Sequence, residues 1–397
     1  MSSAAGAIAA ESVTAPAIAM RARIESIDIV RGVIMILMAV DHTRDFFGTP
    51  GINPTNPATT TVSLFFTRWI THFCAPTFFL LTGTGAYLMG RRKSKAQLSK
   101  FLFTRGLWLI FLELVVSRVL GWQFNLDYRV TLLIVLWALG WAMISLAALV
   151  HLPTKVIGIF GVVIIATHNL LDAVPWQNWF WSILHVPTQL VGTPRFSVFV
   201  AYPLIPWIGV TAAGFCLGQI YNWDSSRRRR FLLRLGLGLV AAFFLLRAIN
   251  IYGDPLPWSA QRSSTFTLLS FLNTTKYPPS LLFLLMTLGP SILFLWAVDR
   301  RTPRWLHPAL IFGKVPMFYY LLHIPLIHLL AIAFCYVRYG QVHWMFESPD
   351  IQSFPFTPPP GWGYPLPVVY LMWAVVVITL YLADGSPACV SAAMRRG

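Results

Sequence analysis

The sequence predicts an all-α fold, a polytopic membrane bundle of about ten transmembrane helices with both termini on the cytoplasmic side. Three observations predict it. The 397 residues are 56% hydrophobic and only 11% charged, with a mean hydropathy of +0.65, whereas a soluble domain carries about 25% charged residues. Apolar residues gather in ten runs of spanning length, near 27–47, 64–90, 100–121, 129–150, 154–172, 198–221, 231–252, 279–298, 308–336 and 365–384. Basic residues fall in short clusters between alternate runs, the pattern of cytoplasmic loops. Lipid offers no hydrogen bonds to the backbone, so each span must satisfy its own, and helices do so.

The first residues, 1–24, are rich in Ala and Ser and lack a basic start followed by an apolar stretch, so they read as a disordered cytoplasmic tail rather than a signal peptide. Residues 25–386 form the bundle and 387–397 a second cytoplasmic tail. The first span then acts as the uncleaved signal, placing the chain in the cell (inner) membrane as a multi-pass protein. With the N-terminus inside, 19 of the 30 basic residues lie on that side, including Arg91 to Lys93, Arg227 to Arg230, and Arg300 and Arg301. The outer segment 48–63 holds none. The run at 308–336 is long enough to kink, at Pro316 or Pro325, because proline removes a helix donor and clashes with the preceding turn.

The net charge of +16 points to topology and not to nucleic acid, since it is confined to these loops. Cys74, Cys216, Cys335 and Cys389 form no CxxC pair and no ligand spacing with histidine, so neither a disulfide framework nor a metal site is expected. The outer segments 173–197, 253–278 and 337–364 are rich in Pro, Asn, Thr and Trp. Their tryptophans, Trp362 among them, read as interfacial anchors or as an aromatic floor for a sugar.

An ionisable residue within a span costs about 2.5–3.5 kcal/mol on insertion scales, so each one requires a reason. The first run is the densest. At 100° per residue, Asp28, Arg31, Met35, Met38, His42 and Asp45 fall on one stripe, with Asp41 and Arg44 beside it. The rise from Arg31 to His42 is about 16 Å, half the hydrocarbon thickness. A guanidinium near the inner side can hold a phosphate-bearing ligand, and an imidazole further out can act as a general base. Asp45 or Asp41 could orient that imidazole. A purely structural reading makes Asp28–Arg31 an internal salt bridge and leaves the outer residues interfacial. Gly32 would let a second helix approach.

A second set, Arg68 and His72, is spaced i, i+4 ahead of a kink at Pro76 and the small-residue run Thr82-Gly83-Thr84-Gly85. A third comprises Lys314, Tyr319, His323 and His328. The two histidines stand five apart, about 140° around a helix, and cannot chelate together. Glu113, which could pair with Arg118, and Arg247 and Lys276 read as structural. No G-x-S-x-G, Walker or paired-carboxylate signature is present.

These residues carry a family resemblance. Ser26-Ile27-Asp28-Ile29-Val30-Arg31-Gly32 followed by His42 resembles the opening motif of the acyltransferase 3 family. The stretches RWITHFCAPTFFLLTG (68–83), YPLIPWIG (202–209), NTTKYPPSLLFLLMTLG (273–289) and GKVPMFYYLLHIPLIH (313–328) look like the bacterial relatives of heparan-alpha-glucosaminide N-acetyltransferase. The resemblance implies acyl transfer, most simply of acetyl, from cytoplasmic acetyl-CoA or another acyl-CoA to a sugar or glycan on the far side. It implies His42 as catalytic base and Arg31 on the coenzyme, and the residue pattern adds Asp45 and His72 as catalytic candidates and Lys314 as a coenzyme-binding one. Asp41, Arg68, Tyr319, His323 and His328 would then line the substrate cavity. The family's outer-loop histidine has no counterpart, since no histidine lies between His42 and His72. The implied partners are the acyl donor, the glycan and the bilayer, with a homodimer left open and no nucleic acid. Two rival readings are a glycan or lipid-linked-sugar flippase and an inactive scaffold subunit.

Overall fold

The computed structural model describes residues 24–384 apart from 177, 194, 301 and 302. The two tails, 1–24 and 387–397, lie outside the described residues except for Ile24.

Each of the ten apolar runs carries helix. They are α1 (Glu25–Phe47), α2 (Val62–Thr71) with α3 (Cys74–Gly90), α4 (Lys95–Phe111) prolonged by a π-helix over Leu112–Trp122, α5 (Val135–Leu149), and α6 (Thr154–Thr167). After the short helix α7 (Trp179–Leu184) come α8 (Leu204–Leu217) and α9 (Ser225–Ile249), then a second short helix, α10 (Ser264–Leu272). The chain closes with α11 (Leu281–Val298), α12 (His307–Lys314), α13 (Pro316–Tyr339) and α14 (Leu366–Asp384). Among the described residues, seven helical segments are long and apolar enough to cross a membrane, which makes this a helical membrane protein. The three other runs differ for visible reasons. Helix α1 is long enough, with 23 residues, but carries the charged stripe. The third run starts among basic residues and changes to π geometry at Leu112. Helix α5 has only 15 residues.

Helix α5 is short because its run begins as a strand. Val130–Leu133 (β1) pairs in parallel with Phe196–Val200 (β3), which pairs antiparallel with Thr188–Thr193 (β2). This small sheet accompanies an otherwise helical fold. The β-branched sequence Val130-Thr131 suits an extended backbone.

The expected kinks are breaks. Between α2 and α3 the chain turns at His72 and Phe73. Between α12 and α13, Val315 leaves helical geometry at φ −127° and ψ 46°, and Pro316 then starts the next helix, where its missing N–H is harmless. Pro325 lies within α13.

Helices α3, α8 and α11 are buried on most sides, whereas α6, α9 and α14 keep most of their surface outward. The tightest glycine crossings bring backbones together. A Cβ built on Gly32 would lie 1.7 Å from the Ala309 carbonyl oxygen, and one on Gly313 would lie 1.7 Å from that of Asp28, so α1 and α12 touch backbone to backbone. At the crossing of α3 and α8, a Cβ on Gly83 would lie 2.0 Å from the Thr211 oxygen.

Polar residues then fix the ends. Ser94 and Gln97 form a reciprocal capping box on α4. Asp224 caps α9 by accepting from the Arg227 N–H at 2.9 Å, and that bond holds its carboxyl below the usual carboxylate range. Arg228 donates to Asp299 at 3.0 Å, tying α9 to the end of α11. At the opposite end of α9, buried Arg247 donates to the carbonyls of Leu256, Ser270, Phe271 and Asn273. Arg247 thereby holds the whole 253–278 segment over the bundle.

Candidate functional site

Helix α1 carries the site, because its stripe faces inward. Near its first turns Arg31 Nη1 donates to Asp28 Oδ1 at 3.0 Å and to the Gly313 carbonyl at 3.3 Å. Gly313 precedes Lys314, so the two residues expected at the coenzyme stand together at the break between α12 and α13. The close crossing at Gly32 makes this contact possible.

Three turns further, His42 Nδ1 lies 2.7 Å from His323 Nε2, and His323 Nδ1 lies 3.0 Å from the Tyr319 carbonyl oxygen. The tautomers follow from this chain. A carbonyl only accepts, so His323 Nδ1 carries the proton. With both rings neutral, His323 Nε2 then accepts, and His42 Nδ1–H donates to it. His42 Nε2 is left with its lone pair. Trp122 meets the His42 ring edge-on at 4.9 Å between centroids and fixes its plane.

The carboxylates near His42 have other partners. Asp41 pairs with Arg68 and, at 2.9 Å, with Arg44, and Arg44 also pairs with Asp45 at 2.7 Å. The orienting role the sequence offered to Asp45 or Asp41 is occupied here by His323. His72 is buried against Phe283, with ring centroids 5.4 Å apart, while its neighbours Thr71 and Cys74 line the His42 cavity. His328 ties the π-helix to the loop around Met345: Nδ1 lies 2.9 Å from the Gly121 carbonyl and Nε2 lies 2.8 Å from that of Met345. Phe46 touches both rings, stacked on Trp122 and tilted against His328. Glu113 and Arg118 do not meet. Glu113 accepts the Leu136 N–H at 2.7 Å, and Arg118 turns to Asn125 and Asp127.

Two cavities touch the ion-pair chain. A small one, about 40 Å³, is lined by His42, Asp41, Tyr202 and Lys276. A larger one, about 470 Å³, lies beyond the end of α1 and is lined by Arg44, Asp45, Phe354, Phe356, Trp362 and Tyr364. The row Asp45–Arg44–Asp41–Arg68 therefore runs from an aromatic chamber, at Asp45 and Arg44, to the cavity of the histidine, at Asp41. Trp362 is held in place by donating from Nε1 to the Phe46 carbonyl at 2.9 Å. Of the other loop tryptophans, Trp176 and Trp179 are exposed.

Residues 23–247 match the family model of heparan-alpha-glucosaminide N-acetyltransferase, catalytic. The chain belongs to that family. The match covers α1 to α9, including the Asp28–Arg31–His42 stripe and Arg68, and ends before Lys276, Lys314 and His323. No individually curated protein matches the chain. Family membership makes this a transmembrane acetyltransferase-type protein, and keeps a small acyl donor and a glycan acceptor as the relevant chemistry. Among the described residues, no cluster of three or more His, Cys, Asp or Glu side chains could hold a metal ion.

Two residues at the site were not singled out for it from the sequence. Lys276 was read as structural and Tyr202 only as part of a motif. The sequence carries a signal for Lys276: on the expected topology it is a lysine at the outer end of a span, against the positive-inside pattern.

Proposed function

We propose that this protein carries an acyl group, acetyl in the simplest case, from cytoplasmic acyl-coenzyme A to a sugar or glycan on the outer side of the cell (inner) membrane. Ten spans with both termini inside put Arg31 and Lys314 at the cytoplasmic side and His42 near the outer face. The observation that carries this reading is the His42–His323 pair: in a chain of an N-acetyltransferase family, one imidazole is held by another with its Nε2 lone pair left over.

The donor's phosphates meet Arg31 and Lys314 at the helix break, and its extended arm reaches the roughly 16 Å up α1 to His42. The acceptor enters the outer aromatic chamber, where Trp362 and Tyr364 offer faces for a sugar ring and Asp45 accepts from its hydroxyls. His42 Nε2 takes the proton of the attacking hydroxyl or amine, and Asp41 and Arg68 keep the cavity polar.

Coenzyme binding tests this reading against a flippase, which needs no coenzyme A. A ligand that binds the folded state raises the melting midpoint. In detergent, acetyl-CoA is expected to stabilise the wild-type protein. Arg31→Gln and Lys314→Gln are each expected to weaken the apparent affinity about tenfold, or ~1.4 kcal/mol. Equal stabilisation of all three proteins, or none at saturating acetyl-CoA, contradicts the assignment.

A further inference from the structure

We propose that Lys276 is a catalytic residue whose ammonium stabilises the oxyanion formed when the acyl group is transferred at His42. This rests on the acyl-transfer reading above and adds to it a residue outside the matched family segment.

The first observation is position. Lys276 lines the same cavity as His42, Asp41 and Tyr202. It comes from the segment between α10 and α11, not from a span. The second is that this segment is clamped in place. Asp254 accepts from the Thr275 N–H at 2.8 Å, from the Thr275 hydroxyl at 2.8 Å and from the Ser280 hydroxyl at 2.7 Å. Arg247 donates to the Asn273 carbonyl at 2.7 Å, and Asn273 Nδ2 donates to the Thr55 carbonyl at 2.9 Å. Lys276 itself bridges to Pro279, and the Pro279 carbonyl lies 2.8 Å from His168 Nε2. A flexible side chain used only for solubility has no need of such a platform. Preorganised charge aimed at a reaction centre does, because a fixed dipole or ion spends no reorganisation at the moment of reaction.

The third observation is charge. Asp41 is already shared by Arg44 and Arg68, and Asp45 by Arg44. Lys276 forms no ion pair among the described residues, and its ammonium stands 5.2 Å from the Tyr277 ring centroid. Of the charged groups lining this cavity, Asp41 is already held by the two arginines, which leaves the Lys276 ammonium as the cation not committed to a carboxylate. The surplus positive charge is what a carbonyl oxygen needs as it becomes an alkoxide.

The step balances without any further reagent. The acceptor oxygen or nitrogen loses its proton to His42 Nε2 and bonds to the acyl carbon. The C=O π pair moves onto the oxygen, opposite the Lys276 ammonium. Collapse restores the carbonyl and breaks the C–S bond. The leaving thiolate takes the proton back from His42, giving acylated acceptor and free coenzyme thiol.

The test uses the full chain in detergent, with labelled acetyl-CoA and a mixture of amino and neutral sugars. Lys276→Met is expected to lower kcat by about 10²–10³-fold, the usual effect of removing one oxyanion donor, with the KM for acetyl-CoA unchanged. Lys276→Arg should keep a larger share of the activity. Lys276→Gly should regain rate on addition of small primary amines, which a structural lysine would not allow. Wild-type kcat in Lys276→Met, or a lowered kcat with no amine rescue in Lys276→Gly and no retention in Lys276→Arg, overturns the assignment while wild-type transfer leaves the parent reading standing. A wild-type protein that transfers no acetyl group overturns the parent reading and this assignment with it.

Discussion

Replacing His42 with alanine is expected to lower acyl transfer by about 10³-fold, within the range of a general base, while the melting midpoint changes by only a few degrees. The ring is half-buried and its one hydrogen bond is to His323, so little packing is lost. His323→Leu should lower kcat by about 10²-fold without raising the KM for donor or acceptor. The reason is the tautomer. Leucine cannot accept from His42 Nδ1–H, so the His42 proton redistributes between its two nitrogens and the ring can turn away from the cavity. His323→Asn keeps an acceptor oxygen for Nδ1–H and should recover part of the rate. Steady-state kinetics with unfolding curves on all three variants check the set. A His323→Leu enzyme with wild-type kcat would show that the contact with Tyr319 and His42 serves packing alone.

The second large effect is on stability. Gly313→Ala is expected to destabilise the protein by about 3 kcal/mol or more, since an added Cβ would stand 1.7 Å from the Asp28 carbonyl oxygen and backbone cannot swing aside as a side-chain tip does. Helices α1 and α12 must part, and the bond from Arg31 to the Gly313 carbonyl goes with them. Gly32→Ala meets the Ala309 oxygen at the same distance and should behave alike. Gly85→Ala is the control. Nothing lies within 4 Å of its Cβ, and alanine is the better helix former by up to about 1 kcal/mol, so its midpoint should stay or rise. Thermal unfolding in detergent distinguishes the three.

The contrast between Gly83 and Gly85 shows what pattern reading can reach. Both sat in one small-residue run, and only the neighbour across the interface separates them: Gly83 faces α8, Gly85 faces open space. The stripe on α1 was legible because helical periodicity alone places Asp28, Arg31, His42 and Asp45 on one side. The partner of His42 was not, because His323 is 281 residues away in the chain. A carboxylate next in sequence is the natural choice until the two arginines that engage Asp41 are seen. The strand at Val130–Leu133 was hidden for a related reason. Four apolar residues read equally as the start of a helix, and their sheet partner lies at 196–200. The breaks at Phe73 and Val315 were half visible, since proline marks the place but not whether the helix bends or restarts.

Acyl transfer through His42 across the bilayer is tested most directly in sided vesicles. Protein is reconstituted so that its cytoplasmic face is outward, with impermeant labelled acetyl-CoA outside and an impermeant amino sugar or glycan trapped inside. Labelled acceptor is expected in the lumen with the wild-type protein, and about a thousandth of that rate with His42→Ala. Equal labelling by wild type and His42→Ala, or movement of unlabelled acceptor across the membrane without acetylation, would contradict it.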